Sequence, residues 1–238
     1  MKLLAALVVS IAVVAPLTDA TATPTRRTAA RHRPAAAVDW NRRVSWTADG
    51  GFRVGNPAAK VKFVEYGSLT CPYCQQFYAE AAVPLRARIA GGTVSFEFRP
   101  FTVHDADPIL HALLLCAGPA NFSRFTDDFY ADQEDLVAPF EQWVTVNPAI
   151  DAVADAATRI KLAREWGFTA FAAKHGLSPA RATACLTDRN AIAAQQAREE
   201  RAYREHHVDG TPIFFLNDQP LAAATWAEVD AAIAAALG

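Results

Sequence analysis

The sequence predicts an α/β domain into which an all-helical block is inserted, and three observations carry that reading. Val61 to Tyr66 and Thr93 to Phe98 read as strands flanking a helix over Gln75 to Ile89. From about Pro108 to His207, apolar residues recur at three and four with charges between them, which is the helical period. Strand character then returns in Pro212-Ile213-Phe214-Phe215-Leu216, so the last pieces of the α/β domain lie beyond the helical block.

The chain opens outside any fold. Lys2 precedes an apolar run from Leu3 to Leu17, followed by the small residues of Thr18-Asp19-Ala20-Thr21-Ala22. This is the pattern of a secretory signal, with cleavage expected after Ala20 or Ala22. A membrane anchor is the rival, but the run falls short of the roughly 20 apolar residues a spanning helix needs. No cysteine follows the run, so a lipid-anchored end is not expected. Residues 23–38, with Arg26, Arg27, Arg31, His32 and Arg33 among Thr, Ala and Pro, bury too little apolar surface to order and read as a flexible tether. The expected organisation is a signal peptide (1–22), the tether (23–38), the first part of the α/β domain (39–103), the helical subdomain (104–207) and the last strands with a closing helix (208–238).

Within the first part, Gly55-Asn56-Pro57 is a turn before the strand at Val61, and Gly91-Gly92 ends the helix after it. Pro84 removes one backbone bond and should bend that helix. Val94, Phe96 and Phe98 alternate against Ser95, Glu97 and Arg99 in the second strand, and the strand–helix–strand order favours a parallel crossover. In the helical block, breaks are expected at Gly118-Pro119, Pro139, Asn147-Pro148, Gly167, Gly176 and Ser178-Pro179, giving five or six helices. Asn217-Asp218-Gln219 turns the chain into a short strand near Pro220 to Ala222, and an amphipathic helix runs from Trp226 to Ala236. A formal net charge of −2 with mixed signs argues against a nucleic-acid groove.

The four cysteines fall into two kinds. Cys71 and Cys74 form a Cys-x-x-Cys where a strand meets a helix. There the unpaired N–H groups and helix dipole favour an anion, so Cys71 is expected to be a thiolate and the attacking sulfur. Cys74, one turn along and more buried, would resolve a mixed disulfide. The motif alone also suits a zinc site, which would want a second close pair, or a structural disulfide, whose tiny loop would constrain little. Cys116 and Cys185 are isolated and both lie in the helical block. A structural bridge between them would close a loop of about 70 residues, worth roughly 4 kcal/mol; the alternative is two buried free thiols.

Phe63-Val-Glu-Tyr-Gly-Ser-Leu-Thr-Cys-Pro-Tyr-Cys-Gln-Gln-Phe and Gly210-Thr211-Pro212-Ile213-Phe214-Phe215-Leu216-Asn217 together resemble the DsbA-like branch of the thioredoxin superfamily, exported thiol–disulfide oxidoreductases. The likeness covers roughly residues 50–238. It implies a thioredoxin fold with the helical insertion, Pro212 in cis and facing the cysteine pair, and the Thr211 backbone free to pair with an extended substrate segment. It also implies that Glu65 is a buried acid with a raised pKa, exchanging a proton with Cys74; the alternative is a strand residue facing water. One departure is Tyr73. The strongest oxidants of the family carry His in the dipeptide, whose positive charge stabilises the first thiolate, so a less oxidising potential is expected here.

No metal or other cofactor is expected. His104, Asp105, Asp107 and His111 lack metal-ligand spacing and read as capping and surface residues, with Asp107-Pro108 as a helix start. His206-His207 sits at a helix end. Phe122, Phe125, Phe129, Trp143 and Trp166 read as helical core. The expected function is disulfide formation in secreted proteins, outside the cytoplasm or in a periplasm. The partners would be unfolded or partly folded secreted proteins and a protein that reoxidises the pair. A disulfide isomerase or reductase of the same compartment is the runner-up, although 23–50 is too short and polar for the dimerisation domain such enzymes usually bear. A non-catalytic binding or chaperone module is the third reading.

Overall fold

A computed structural model of the chain describes residues 38–147 and 155–238. The expected signal peptide (1–22), residues 23–37 of the expected tether, and Pro148 of the expected Asn147-Pro148 break lie outside the described residues.

Two strands precede those that the sequence announces, β1 (Val44–Trp46) and β2 (Phe52–Gly55). The sequence reading missed both, because three and four residues are too few to display a period. β3 (Val61–Gly67) leads into α1 (Pro72–Ala90) and β4 (Val94–Pro100). β3 and β4 pair in parallel, with Phe63 opposite Phe96 and Glu65 opposite Phe98. β5 (Ile213–Leu216) and β6 (Gln219–Leu221) complete a six-stranded mixed sheet of order β1-β2-β4-β3-β5-β6. Asn217 and Asp218 both take positive φ, the backbone a two-residue hairpin turn demands.

Alternation gives the sheet two characters. Phe52, Val61, Phe63, Val94 and Phe98 join the main core with Phe77, Ala81 and Ile89 of α1 and with Val229 and Ile233 of α9 (Trp226–Leu237). On the opposite face Glu97 is buried between Arg53 and Arg99, 3.0 and 2.7 Å away. Val64, Tyr66 and Phe215 form a small second core there with Ala202.

Seven helices are found between β4 and β5 among the described residues: α2 (Asp107–Ala117), α3 (Pro119–Ala131), α4 (Gln133–Val146), α5 (Ala156–Glu165), α6 (Phe168–Lys174), α7 (Pro179–Thr187) and α8 (Arg189–His206). Asp188 supplies a break the sequence reading did not expect, its carboxylate accepting the Asn190 and Ala191 N–H groups to start α8. Pro139 does not break α4, and α1 runs through Pro84. The helix survives Pro139 because residues beyond it are packed: Phe140 and Trp143 sit edge-on to the fully buried Trp166, with ring centres 5.1 and 5.7 Å apart. Phe125 and Phe129 close on Phe171 in the same way.

Cys116 at the end of α2 and Cys185 in α7 are joined by a disulfide, their Cα atoms 6.1 Å apart. Among the described residues, no helix is long and apolar enough to cross a membrane, and no cluster of His, Cys, Asp and Glu could hold a metal ion.

Candidate active site

Cys71 is the N-cap of α1, extended at φ −77° and ψ 122°, with Pro72 at the first helical position, where a missing N–H costs nothing. Cys74 follows at the third helical position. Both thiols are free, and Cys74 is wholly buried while Cys71 keeps 4 % of its surface. The Cys71 sulfur faces the end of the helix, where the N–H groups of Tyr73 and Cys74 have no helical partner. Tyr73 itself points outward and is 69 % exposed.

β5 brings the second half of the site. The Thr211–Pro212 peptide is cis, and the Cys71 thiol donates to the Thr211 carbonyl at 3.3 Å. The Thr211 hydroxyl is buried and has no hydrogen-bond partner in this form. These surroundings hold the Cys71 thiol down at about 5, against an ordinary 9.0. The hydrogen bond from the Cys74 thiol contributes most; burial opposes it; the Thr211 hydroxyl and the N–H groups of Cys74 and Tyr73 add to it. Cys74 moves far the other way. Burial drives its thiol well above the ordinary range, and the bond it gives to Cys71 and the negative charges of Glu65 and Cys71 reinforce this.

Glu65 lies on the α1-facing side of β3, between Phe98 and Phe214 of the neighbouring strands. It is buried, so the water-facing alternative does not hold. Burial, assisted by the Cys71 charge, pushes its carboxyl up to about 8, while the Cys74 thiol works against this. Gly67 is required beside it. A Cβ there would fall 2.5 Å from the Phe98 ring and 2.9 Å from the Glu65 carboxyl oxygen.

The loop from Ser68 to Cys71 is fastened by residues from the helical insertion. Asp107, fully buried at the start of α2, accepts the Ser68 and Thr70 hydroxyls at 2.8 and 2.9 Å and the Val103 and His104 N–H groups at 2.8 and 3.0 Å. The Tyr130 hydroxyl donates to the Ser68 carbonyl at 3.1 Å. The Gln133 amide donates to the carbonyls of Leu69 and Cys71. The surface role expected of Asp107 and His111 is thereby corrected: both are buried, His111 beside the Glu199 carboxylate at 3.5 Å, while His104 and Asp105 are exposed. Pairing with the Ser68 and Thr70 hydroxyls of the active-site loop was worth more to Asp107 than hydration. Asp107-Pro108 did signal a helix start, but nothing in the sequence pointed to Tyr130 or Gln133, since their partners are backbone carbonyls that any residue carries.

A cavity of about 420 Å³ lies elsewhere, among α2, α7 and α8 beside the Cys116–Cys185 disulfide, and is lined by neither Cys71 nor Cys74. His206 ends α8 against the Phe215 ring, and His207 caps it in the left-handed region.

A thioredoxin family model matches residues 47–235. Among solved structures, the chain is similar to a protein-disulfide isomerase from Novosphingobium aromaticivorans, at 26 % identity and a TM-score of 0.68, over 78 % of this chain and 96 % of that one. BdbD from Bacillus subtilis, in its oxidised form, aligns at 19 % identity and a TM-score of 0.56 over 78 % and 91 % of the two chains. DsbA from Chlamydia trachomatis aligns at 13 % and 0.55 over 77 % and 88 %. At these identities the last two likenesses concern the fold. No curated protein matches the chain in sequence. The chain belongs to the thioredoxin family, and its fold, with the inserted helical domain, is the one that the DsbA-like structures share.

Proposed function

We propose that the protein is an exported thiol–disulfide oxidase, forming disulfides in secreted proteins by exchange through Cys71 and Cys74. The observation that carries this reading is the pairing of one acidic, slightly accessible sulfur with one buried, strongly basic sulfur at a helix N-terminus, beside the Thr211 carbonyl that accepts the Cys71 thiol. A substrate thiolate attacks Cys71 in the disulfide form, and the Cys71–Cys74 bond breaks. Cys74 departs as a thiol rather than a thiolate, since the raised Glu65 carboxyl is protonated at neutral pH and can supply the proton. A second substrate thiolate then attacks the substrate sulfur of the mixed disulfide and expels Cys71 as a stabilised thiolate. The substrate is oxidised by two electrons, the pair reduced by two, and a partner protein must remove those electrons.

A stable leaving thiolate makes the disulfide oxidising. The Cys71 value of about 5 lies between the roughly 3.5 and 7 of a strong periplasmic oxidant and a reducing thioredoxin, so the potential should fall between about −120 and −270 mV. The isomerase reading is favoured by one observation, the likeness to a protein-disulfide isomerase from Novosphingobium aromaticivorans. Alkylation trapping in intact cells separates the two: a mainly oxidised pair supports the oxidase, a mainly reduced pair the isomerase or reductase. If Cys71→Ser leaves the protein's cellular role intact, both readings fail and a non-catalytic module remains.

A further inference from the structure

Gln133 opens α4 in the helical insertion, yet its side chain is 5 % exposed and buried against the loop that carries Cys71. Its amide nitrogen lies 2.6 Å from the Leu69 carbonyl and 3.1 Å from the Cys71 carbonyl. An NH2 group has two hydrogens, so each carbonyl receives one. The Cys71 oxygen also accepts the Gln75 N–H at 3.1 Å, the bond that starts α1. Gln133 therefore grips the N-cap residue at the same atom from which the helix begins.

That grip bears on chemistry through geometry. A carbonyl held from two directions fixes the peptide plane after Cys71, and with it the direction in which the Cβ and sulfur leave the backbone. The sulfur's orientation in turn decides whether it meets the Tyr73 and Cys74 N–H groups and the Thr211 hydroxyl. Asp107 and Tyr130 fasten Ser68 and Thr70, further back along the loop; Gln133 reaches the cysteine itself. We propose that Gln133 is a positioning residue for Cys71, holding the Leu69 and Cys71 carbonyls from the helical insertion so that the sulfur faces its donors at the α1 N-terminus. The inference rests on the reading of Cys71 as the attacking sulfur.

Gln133→Met keeps side-chain length and removes both donors, and Gln133→Glu keeps the shape while turning donors into acceptors. Each is compared with the parent chain, reduced at Cys71 and Cys74, by the pH dependence of iodoacetamide alkylation at Cys71 and by thermal unfolding. Gln133→Met is expected to alkylate about tenfold more slowly on the acid side of the profile, where rate follows the thiolate fraction, and at the parent rate once Cys71 is fully ionised. Gln133→Glu is expected to shift in the same direction, so that one folded variant suffices. A variant that reacts like the parent across the whole profile, whatever its melting temperature, overturns the proposal. If the parent itself shows no acidic thiol at Cys71, the attacking-sulfur reading fails as well; an acidic parent with unshifted variants removes Gln133 alone.

Discussion

The Cys71 sulfur stands 3.3 Å from the carbonyl oxygen of Thr211, 140 residues along the chain. Across α1 and the helical insertion, the end of β3 and the start of β5 meet at this sulfur.

The Thr211 hydroxyl is buried without a hydrogen-bond partner, and it favours the Cys71 thiolate. Thr211→Val should therefore raise the Cys71 pKa, by up to about tenfold in acidity, the scale of one hydrogen bond to a charged group. The disulfide should become less oxidising in step. Stability should change little, because the lost hydroxyl satisfies no other group. Thiolate absorbance against pH, with a glutathione titration, reads the first two effects, and a parent-like titration would remove Thr211 from the site.

Glu65 should give the oxidised protein a stability that declines with pH. With both thiols free its carboxyl lies at about 8 against an ordinary 4.5, and burial, the largest cause and one that the disulfide form keeps, raises it there too, so above 4.5 the folded state holds a proton that the unfolded state has released. Stability is then fully present at the acid end and is lost as pH rises, by up to ~1.4 kcal/mol per pH unit. In the reduced protein Cys71 works in reverse. Its folded value of about 5 lies below the ordinary 9.0, so its contribution is lost as pH falls, and the two slopes oppose each other from about 5 to 8. Glu65→Gln should abolish the decline in the oxidised form and leave the reduced form gaining stability with pH. Denaturant unfolding of both redox forms at the two ends of that window measures the difference.

The Cys116–Cys185 bridge spans 69 residues of sequence between α2 and α7. Replacing both cysteines with alanine should cost roughly 4 kcal/mol through the freed unfolded chain, less if that chain stays compact. The potential of the Cys71–Cys74 pair should not move. Calorimetry and the glutathione titration test the two halves separately; a shifted potential would give the bridge a role beyond stability.

Much of this was legible in the residues alone. The alternation Val94, Phe96, Phe98 and the helical period through the insertion are local patterns that survive in the fold, because each element buries the face its own sequence makes apolar. Cys71-Pro-Tyr-Cys74 is equally local: the strand before it and the helix after it make Cys71 the residue that caps the helix. Proline misled where packing outweighed it. Pro139 reads as a stop, yet the rings beyond it gain more by burial against Trp166 than the helix loses at one missing bond.

What the sequence determined by itself, then, is which atoms can react: two sulfurs two residues apart, a carboxyl six residues upstream, and a proline far downstream. What only the tertiary structure decided is how those atoms are tuned. Glu65 is raised because the sheet and α1 exclude water from it, and Cys71 is lowered because donors from α1 and β5 converge on it. The loop between them is held by Asp107, Tyr130 and Gln133, whose partners are mostly backbone atoms. Desolvation and convergence are properties of three-dimensional neighbours, and a linear pattern carries no trace of a hydrogen bond to a carbonyl that every residue possesses.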